Sequence, residues 1–129
     1  MTLLSDVLKQ NGFEKLSIAI PTYNEESNIH LMIEECIEFL GDQPNFLELV
    51  IVNDRSSDKS LEVAKQLSAK YESVKLIDNP ENIGCHPSQL VGWNSSDADV
   101  LYMLPSDRQI PPNSIPVSYT HLRAHETKR

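Results

Sequence analysis

What the chain lacks narrows it first. It has two cysteines, Cys36 and Cys85, and neither belongs to a CxxC pair, so no zinc or disulfide framework is indicated and a reduced, cytosolic compartment fits best. Cys85-His86 is a lone pair, too few ligands for a tetrahedral metal site. There are only four glycines, and none forms a GxGxxG or GxxxxGK[ST] loop, which weakens dinucleotide and NTPase readings. Basic residues are outnumbered, 11 Lys and Arg against 19 Asp and Glu, for a net charge of −8. That balance argues against a nucleic-acid binder, since phosphate backbones are held by clustered cations. The longest unbroken apolar run, Val100-Leu-Tyr-Met-Leu104, falls far short of the roughly 20 residues a membrane helix needs. Residues 1–10 carry Leu3, Leu4, Val7 and Leu8 at helical spacing but not the basic start of a secretory signal. They read as a packing helix, with interfacial membrane contact as the alternative.

What is present suits one domain, because 129 residues can bury one genuine core but not two. Apolar strand-like runs alternate with helical periodicity. A strand is expected over 16–20, then a helix from about Glu25 to Leu40, with Asn24 or Ser27 as N-cap and Glu25 and Glu26 in the first turn. Cys36 shares the apolar stripe Ile29, Met32, Ile33, Ile37 and Leu40 and is expected to be buried. Gly41-Asp-Gln-Pro44 should stop that helix. The nearly unbroken apolar run over 47–52 reads as a strand covered on both faces, which favours a parallel sheet. Ser57 is the expected cap of a second helix, to about Lys70, burying Leu61, Ala64, Leu67 and Tyr71. A strand over 74–77, a loop over 79–84, a short helix from Pro87 to Trp93 and a strand over 100–104 complete the alternation. Short connections between parallel strands give right-handed βαβ units.

Two of these strands end in polar clusters, Pro21-Thr-Tyr-Asn-Glu25 and Asn53-Asp-Arg-Ser56, and in open α/β sheets ligands bind beyond the carboxyl ends of strands. With Asn82-Ile-Gly84 and Asp107-Arg-Gln-Ile-Pro-Pro112, these segments resemble the N-terminal, nucleotide-binding half of a family 2 inverting glycosyltransferase. The resemblance implies a Rossmann-like α/β fold (GT-A), with a mainly parallel sheet and flanking helices, here with an incomplete C-terminal half. It also implies a nucleotide-diphospho-sugar donor, a divalent Mg²⁺ or Mn²⁺, and a lipid-phosphate or glycan acceptor.

Residue roles follow from the same resemblance. Pro21, Thr22, Tyr23 and Glu25 match the motif that lines the base and ribose. Asp54 matches the carboxylate that accepts a hydrogen bond from the base, within a run that departs from the family's Val-Asp-Asp-Gly-Ser pattern. Asn82 and Gly84 match an Asn-x-Gly whose glycine lets backbone approach the donor. Asp107 matches the second carboxylate of an Asp-x-Asp motif and is the expected metal ligand, through which one carboxylate and the diphosphate oxygens would hold the ion. Pro105 stands where the first carboxylate would be. Gln109-Ile-Pro-Pro112 is similar to the Gln-x-Pro-Pro of transferases that use lipid phosphates. No residue is nominated as the base that would deprotonate the acceptor.

Residues 1–115 are accordingly read as the donor-binding part. Residues 116–129 carry Arg123, Lys128, Arg129, His121 and His125 with no apolar period. They are expected to be a tail foreign to the domain, similar to a translated adapter run, or a basic C-terminal tail. Two alternatives to a transferase stay open: a non-catalytic nucleotide-binding fragment, and a receiver-like signalling domain with Asp54 as phospho-acceptor.

Overall fold

The computed structural model describes Gln10 and residues 12–104. Asp107, Gln109, Pro105, the expected helix over 1–10 and the tail over 116–129 lie outside the described residues. Among the described residues four strands and three helices alternate: β1 (Leu16–Thr22), α1 (Ile29–Leu40), β2 (Leu47–Asn53), α2 (Ser60–Lys70), β3 (Val74–Asp78), α3 (Cys85–Asn94) and β4 (Val100–Met103). These strands are all parallel, in the order β3-β2-β1-β4. Every residue of β1 and β2 is buried, as their mostly apolar runs predict for central strands covered on both faces.

Side chains alternate across the sheet. Ile18 and Ile20 of β1 with Leu49 and Ile51 of β2 join Ile29, Met32, Ile33 and Cys36 of α1 and Ala64 and Leu67 of α2 in one core. Ala19 and Val52 point to the opposite face and lie under Gly92 of α3. The helices thus cover both faces of the sheet. Strand order reverses between β1 and β4, which is the switch point where open α/β sheets leave a crevice at the carboxyl ends.

Pro21 does not end β1, which continues to Thr22. It ends the pairing with β4 instead. Ala19 O accepts Leu104 N at 3.1 Å, so residue 21 has the parity that faces β4, and the next rung there would need the N–H that proline lacks. Pairing with β2 is unaffected, and Asp54 N donates to Thr22 O at 2.8 Å.

Helix starts differ from the sequence expectation. α1 begins at Ile29 after an Asn28 that makes no side-chain cap, and no acidic residue lies in its first turn. α2 begins at Ser60 and buries Ser60, Ala64 and Leu67, while Leu61 and Tyr71 are only half-buried. The cause is shared. Asn24 and Ser57, the expected caps, bond to each other across two loops, Ser57 N donating to Asn24 Oδ1 at 2.8 Å. Gly41 does stop α1, at φ 84°, with its N–H on Ile37 O, a conformation that suits glycine.

The end of the sheet remote from the crevice is pinned by a buried charge. Glu48 of β2 is 3% exposed and receives Lys75 Nζ at 2.6 Å, Lys15 Nζ at 2.9 Å and Ser96 Oγ at 2.6 Å. Burial alone would raise this carboxyl. Hydrogen bonds from Lys75, Ser96 and Lys15 outweigh it and bring the pKa down to about 2. A depressed carboxylate stabilises the fold above its unfolded pKa and loses that contribution as pH falls through the folded one. Stability is therefore expected to drop between pH 4.5 and about 2. Glu48→Gln should remove on the order of 2 kcal/mol at neutral pH, because the two lysines keep partial access to water, and should flatten that acid limb. Urea unfolding at a series of pH values checks both.

Candidate functional site

The carboxyl ends of β1, β2 and β3 each lead into a loop, and hydrogen bonds stitch the three loops together. Three successive backbone N–H groups after β1 donate to side chains after β2: Asn24 to Ser56 Oγ at 3.0 Å, Glu25 to Ser60 Oγ at 2.8 Å and Glu26 to Asp58 Oδ2 at 3.2 Å. Asn24 returns the contact through its side-chain oxygen, which accepts Ser57 N. Both loops turn through left-handed residues, Asn24 at φ 53° and Arg55 at φ 60°. That conformation is uncommon outside glycine and is several-fold enriched for Asn. Arg55 holds it with its guanidinium on Pro80 O at 3.1 Å.

Asp54 ties in the third loop. It is 4% exposed. Oδ1 accepts Ile83 N at 2.8 Å and Asn79 Nδ2 at 3.1 Å, and Oδ2 accepts Gly84 N at 2.9 Å. Its main-chain oxygen accepts Asn82 Nδ2 at 3.0 Å. Burial pushes this carboxyl up, but the donors from Ile83, Asn79 and Gly84, with the Ser88 hydroxyl, outweigh it and hold it below the usual range. The group is ionised at neutral pH and sits at the start of α3, whose cap is Gly84 at φ 96°, where the helix dipole favours negative charge. A carboxylate offers about four lone-pair positions. Three are taken by N–H donors fixed in place by the loop. The Ser88 hydroxyl is a rotor, so the fourth can pass to a ligand donor.

The sequence-predicted residues divide as follows. Asp54, Asn82 and Gly84 form one hydrogen-bonded cluster, and Thr22 joins it through its main-chain oxygen. The Thr22 hydroxyl turns back onto Ile20 O at 3.0 Å. Tyr23, in the loop after β1, is 51% exposed. Glu25 is half-buried and holds Asn28 Nδ2 at 2.9 Å, so its carboxylate supports the turn into α1. Pro21 is buried. Sequence reasoning misses Ser56, Asp58, Ser60, Asn79 and Ser88. The run Ser56-Ser-Asp-Lys-Ser60, rich in short polar side chains, is the available signal for three of them.

Among the described residues no group of three or more His, Cys, Asp or Glu could hold a metal ion. A receiver-like role for Asp54 is set aside. Such a site needs an acidic pair after the first strand beside the phospho-acceptor, and the Glu25 carboxylate there is taken up by Asn28 Nδ2 instead.

Residues 17–128 match the family described as Glycosyl transferase family 2. The chain is 34% identical over 105 residues to an undecaprenyl-phosphate 4-deoxy-4-formamido-L-arabinose transferase of Photorhabdus laumondii, covering 80% of this chain and 32% of that protein. It is 35% identical over 105 residues to a dolichol-phosphate mannosyltransferase of Pyrococcus furiosus, covering 79% and 28%. The chain thus spans about a third of the length of these relatives. Among solved structures, S. aureus TarS 1–349 in complex with UDP-GlcNAc superposes with TM-score 0.65 at 22% identity, over 86% of this chain and 32% of that one. Mannosyltransferase PcManGT from Pyrobaculum calidifontis, in complex with GDP-Man and Mn²⁺, gives 0.63 at 17% identity, over 74% and 28%. These two likenesses concern the fold, and the parallel sheet with helices on both faces is the GT-A arrangement. With the family match spanning most of its length, the chain belongs to glycosyl transferase family 2.

Proposed function

We propose that the three stitched loops form the donor site of a glycosyltransferase that binds a nucleotide-diphospho-sugar with a divalent metal. The sugar passes with inversion to a polyprenyl phosphate or a related cell-surface acceptor. The observation that carries this reading is the convergence on Asp54: its carboxylate, Asn82, Gly84 and the main chain of Thr22 meet at neighbouring strand ends, with an exposed Tyr23 next in sequence to Thr22. The Asp54 lone pair not held by a loop N–H suits a base N–H, and Tyr23 offers a ring face. Relatives whose names specify undecaprenyl or dolichol phosphate support the acceptor class. Bound, the metal would supply charge neutralisation on the departing diphosphate, and Asp107 is the residue of this chain assigned to hold it.

Calorimetry with UDP and with GDP, each with and without Mn²⁺, tests the reading. One nucleotide should bind, more tightly with metal. Asp107→Ala should abolish the Mn²⁺-dependent increment and leave the metal-free affinity within error of the parent. No heat with either nucleotide from a folded sample overturns the donor site, and an unchanged Mn²⁺ response in Asp107→Ala overturns the metal assignment. A second reading, a nucleotide-binding module without transfer, is favoured by Pro105 standing where the family motif has a carboxylate. Binding without sugar transfer in a chain extended to the relatives' length would decide for it.

A further inference from the structure

Asn53 is itself buried, yet its side chain, through an exposed Asp78 and a half-buried Ser56, connects the ends of three strands. It is the last residue of β2, in register with Thr22 of β1 and Asp78 of β3, and is 2% exposed. Nδ2 donates to Asp78 Oδ1 at 2.9 Å, and Oδ1 accepts Ser56 Oγ–H at 2.6 Å. The Ser56 oxygen then accepts the N–H of Asn24 at 3.0 Å. These three bonds run in one direction, from the Asn24 amide through Ser56 and Asn53 to the Asp78 carboxylate, and such chains polarise one another cooperatively. An amide is the side chain that can do this here, since it both accepts from Ser56 and donates to Asp78. A carboxylate at position 53 would set two anions hydrogen-bond distance apart with no proton between them.

We propose that Asn53 is a positioning residue for the donor site, with Asp78 as its anchor. By fixing the direction of the Ser56 hydroxyl it holds Asn24 in its left-handed conformation, φ 53°, and so sets where Tyr23 and Glu25 stand. The proposal rests on the donor-site reading for its effect on binding, but not for its effect on the loop.

Three variants of the full chain test it: Asn53→Asp, Ser56→Ala and the pair Asn53→Asp with Asp78→Asn. Hydrogen exchange at the Asn24 amide reads the loop directly, and calorimetry with UDP or GDP and Mn²⁺ reads the site. Asn53→Asp and Ser56→Ala should each speed Asn24 exchange and weaken nucleotide binding by about tenfold, the worth of one hydrogen bond. The pair should recover both to within about threefold, because the repulsion that draws a carboxylate at position 53 away from Ser56 is gone: an amide at position 78 donates to it, with the direction of that one bond reversed, and it still accepts the Ser56 hydroxyl. A purely structural role would lower the unfolding free energy measured in urea in step with affinity, whereas a positioning role speeds Asn24 exchange and weakens binding with global stability nearly unchanged. Should Asn53→Asp fail to fold, Ser56→Ala and the pair still decide. Unchanged Asn24 exchange in Ser56→Ala, or a pair no better than Asn53→Asp, overturns the proposal. If the parent binds neither nucleotide, the donor reading falls while Asn24 exchange still decides for or against the positioning role.

Discussion

Asp54→Ala is expected to cost about 3 kcal/mol of stability, since removing a buried acceptor leaves its donors to bear their desolvation unpaired. The donors are the N–H groups of Ile83 and Gly84 and the side-chain amide of Asn79. Neither backbone group has a ready substitute. Asn79 alone keeps a second partner, Ser88 Oγ at 3.0 Å. Asp54→Asn should do only modestly better, because whichever way the amide is turned its NH₂ faces an N–H of the loop. Folded-state pKa depression makes the contribution of Asp54 present above the ordinary carboxylate range and lost as pH falls below it. Urea unfolding at pH 7 gives the first number, and its decline on acidification should be shallower in the variant than in the parent. Nucleotide affinity should fall with and without Mn²⁺, in contrast to the metal-dependent loss expected of Asp107→Ala. A loss of stability below about 1 kcal/mol would mean that the loop over 79–84 is held by other contacts and that Asp54 is free to serve the ligand alone.

The contrast between the strands and the loops explains what is legible in the sequence. The strands can be placed to within a residue or two because a buried strand announces itself by composition: Leu49, Val50, Ile51 and Val52 need no partner to be recognised. The short helix after Gly84 is likewise marked by Pro87. Helix starts are misplaced for the opposite reason. Asn24 and Ser57 have the chemistry of caps, but whether a side chain caps its own helix or a neighbour's loop depends on a residue 33 positions away. Asp54 is found by its place at a strand end and by family resemblance. Its dominant partners, the N–H groups of Ile83 and Gly84, are backbone groups and leave no signature in sequence. Asn53 reads as a flaw in a motif until Asp78 stands beside it in register.

Gly92 carries the second large expectation. It is fully inside α3, where glycine normally costs about 1 kcal/mol relative to alanine, so its presence needs a packing reason. A Cβ at this position would lie 3.0 Å from Ala19 Cβ and 3.1 Å from Val52 Cγ2. Those two side chains are on the central strands β1 and β2, and neither can retreat without displacing the core on the other face. Close approach of α3 to the sheet therefore depends on the missing side chain. Gly92→Leu should cost about 3 kcal/mol, the upper part of the range for overpacking a filled interior. Since α3 begins at the Gly84 that donates to Asp54, a helix pushed off the sheet should also loosen that cluster and weaken nucleotide binding in step with stability. Gly92→Ala is the sharper case, because better helix propensity opposes the two short contacts and the net change should stay within about 1 kcal/mol of zero. Leu90, 54% exposed on the same helix, supplies the control: Leu90→Ala should move stability by less than about 0.5 kcal/mol. Thermal and urea unfolding of the three variants would check the order. A Gly92→Leu protein as stable as its parent would show that α3 is not fixed on the sheet by this contact.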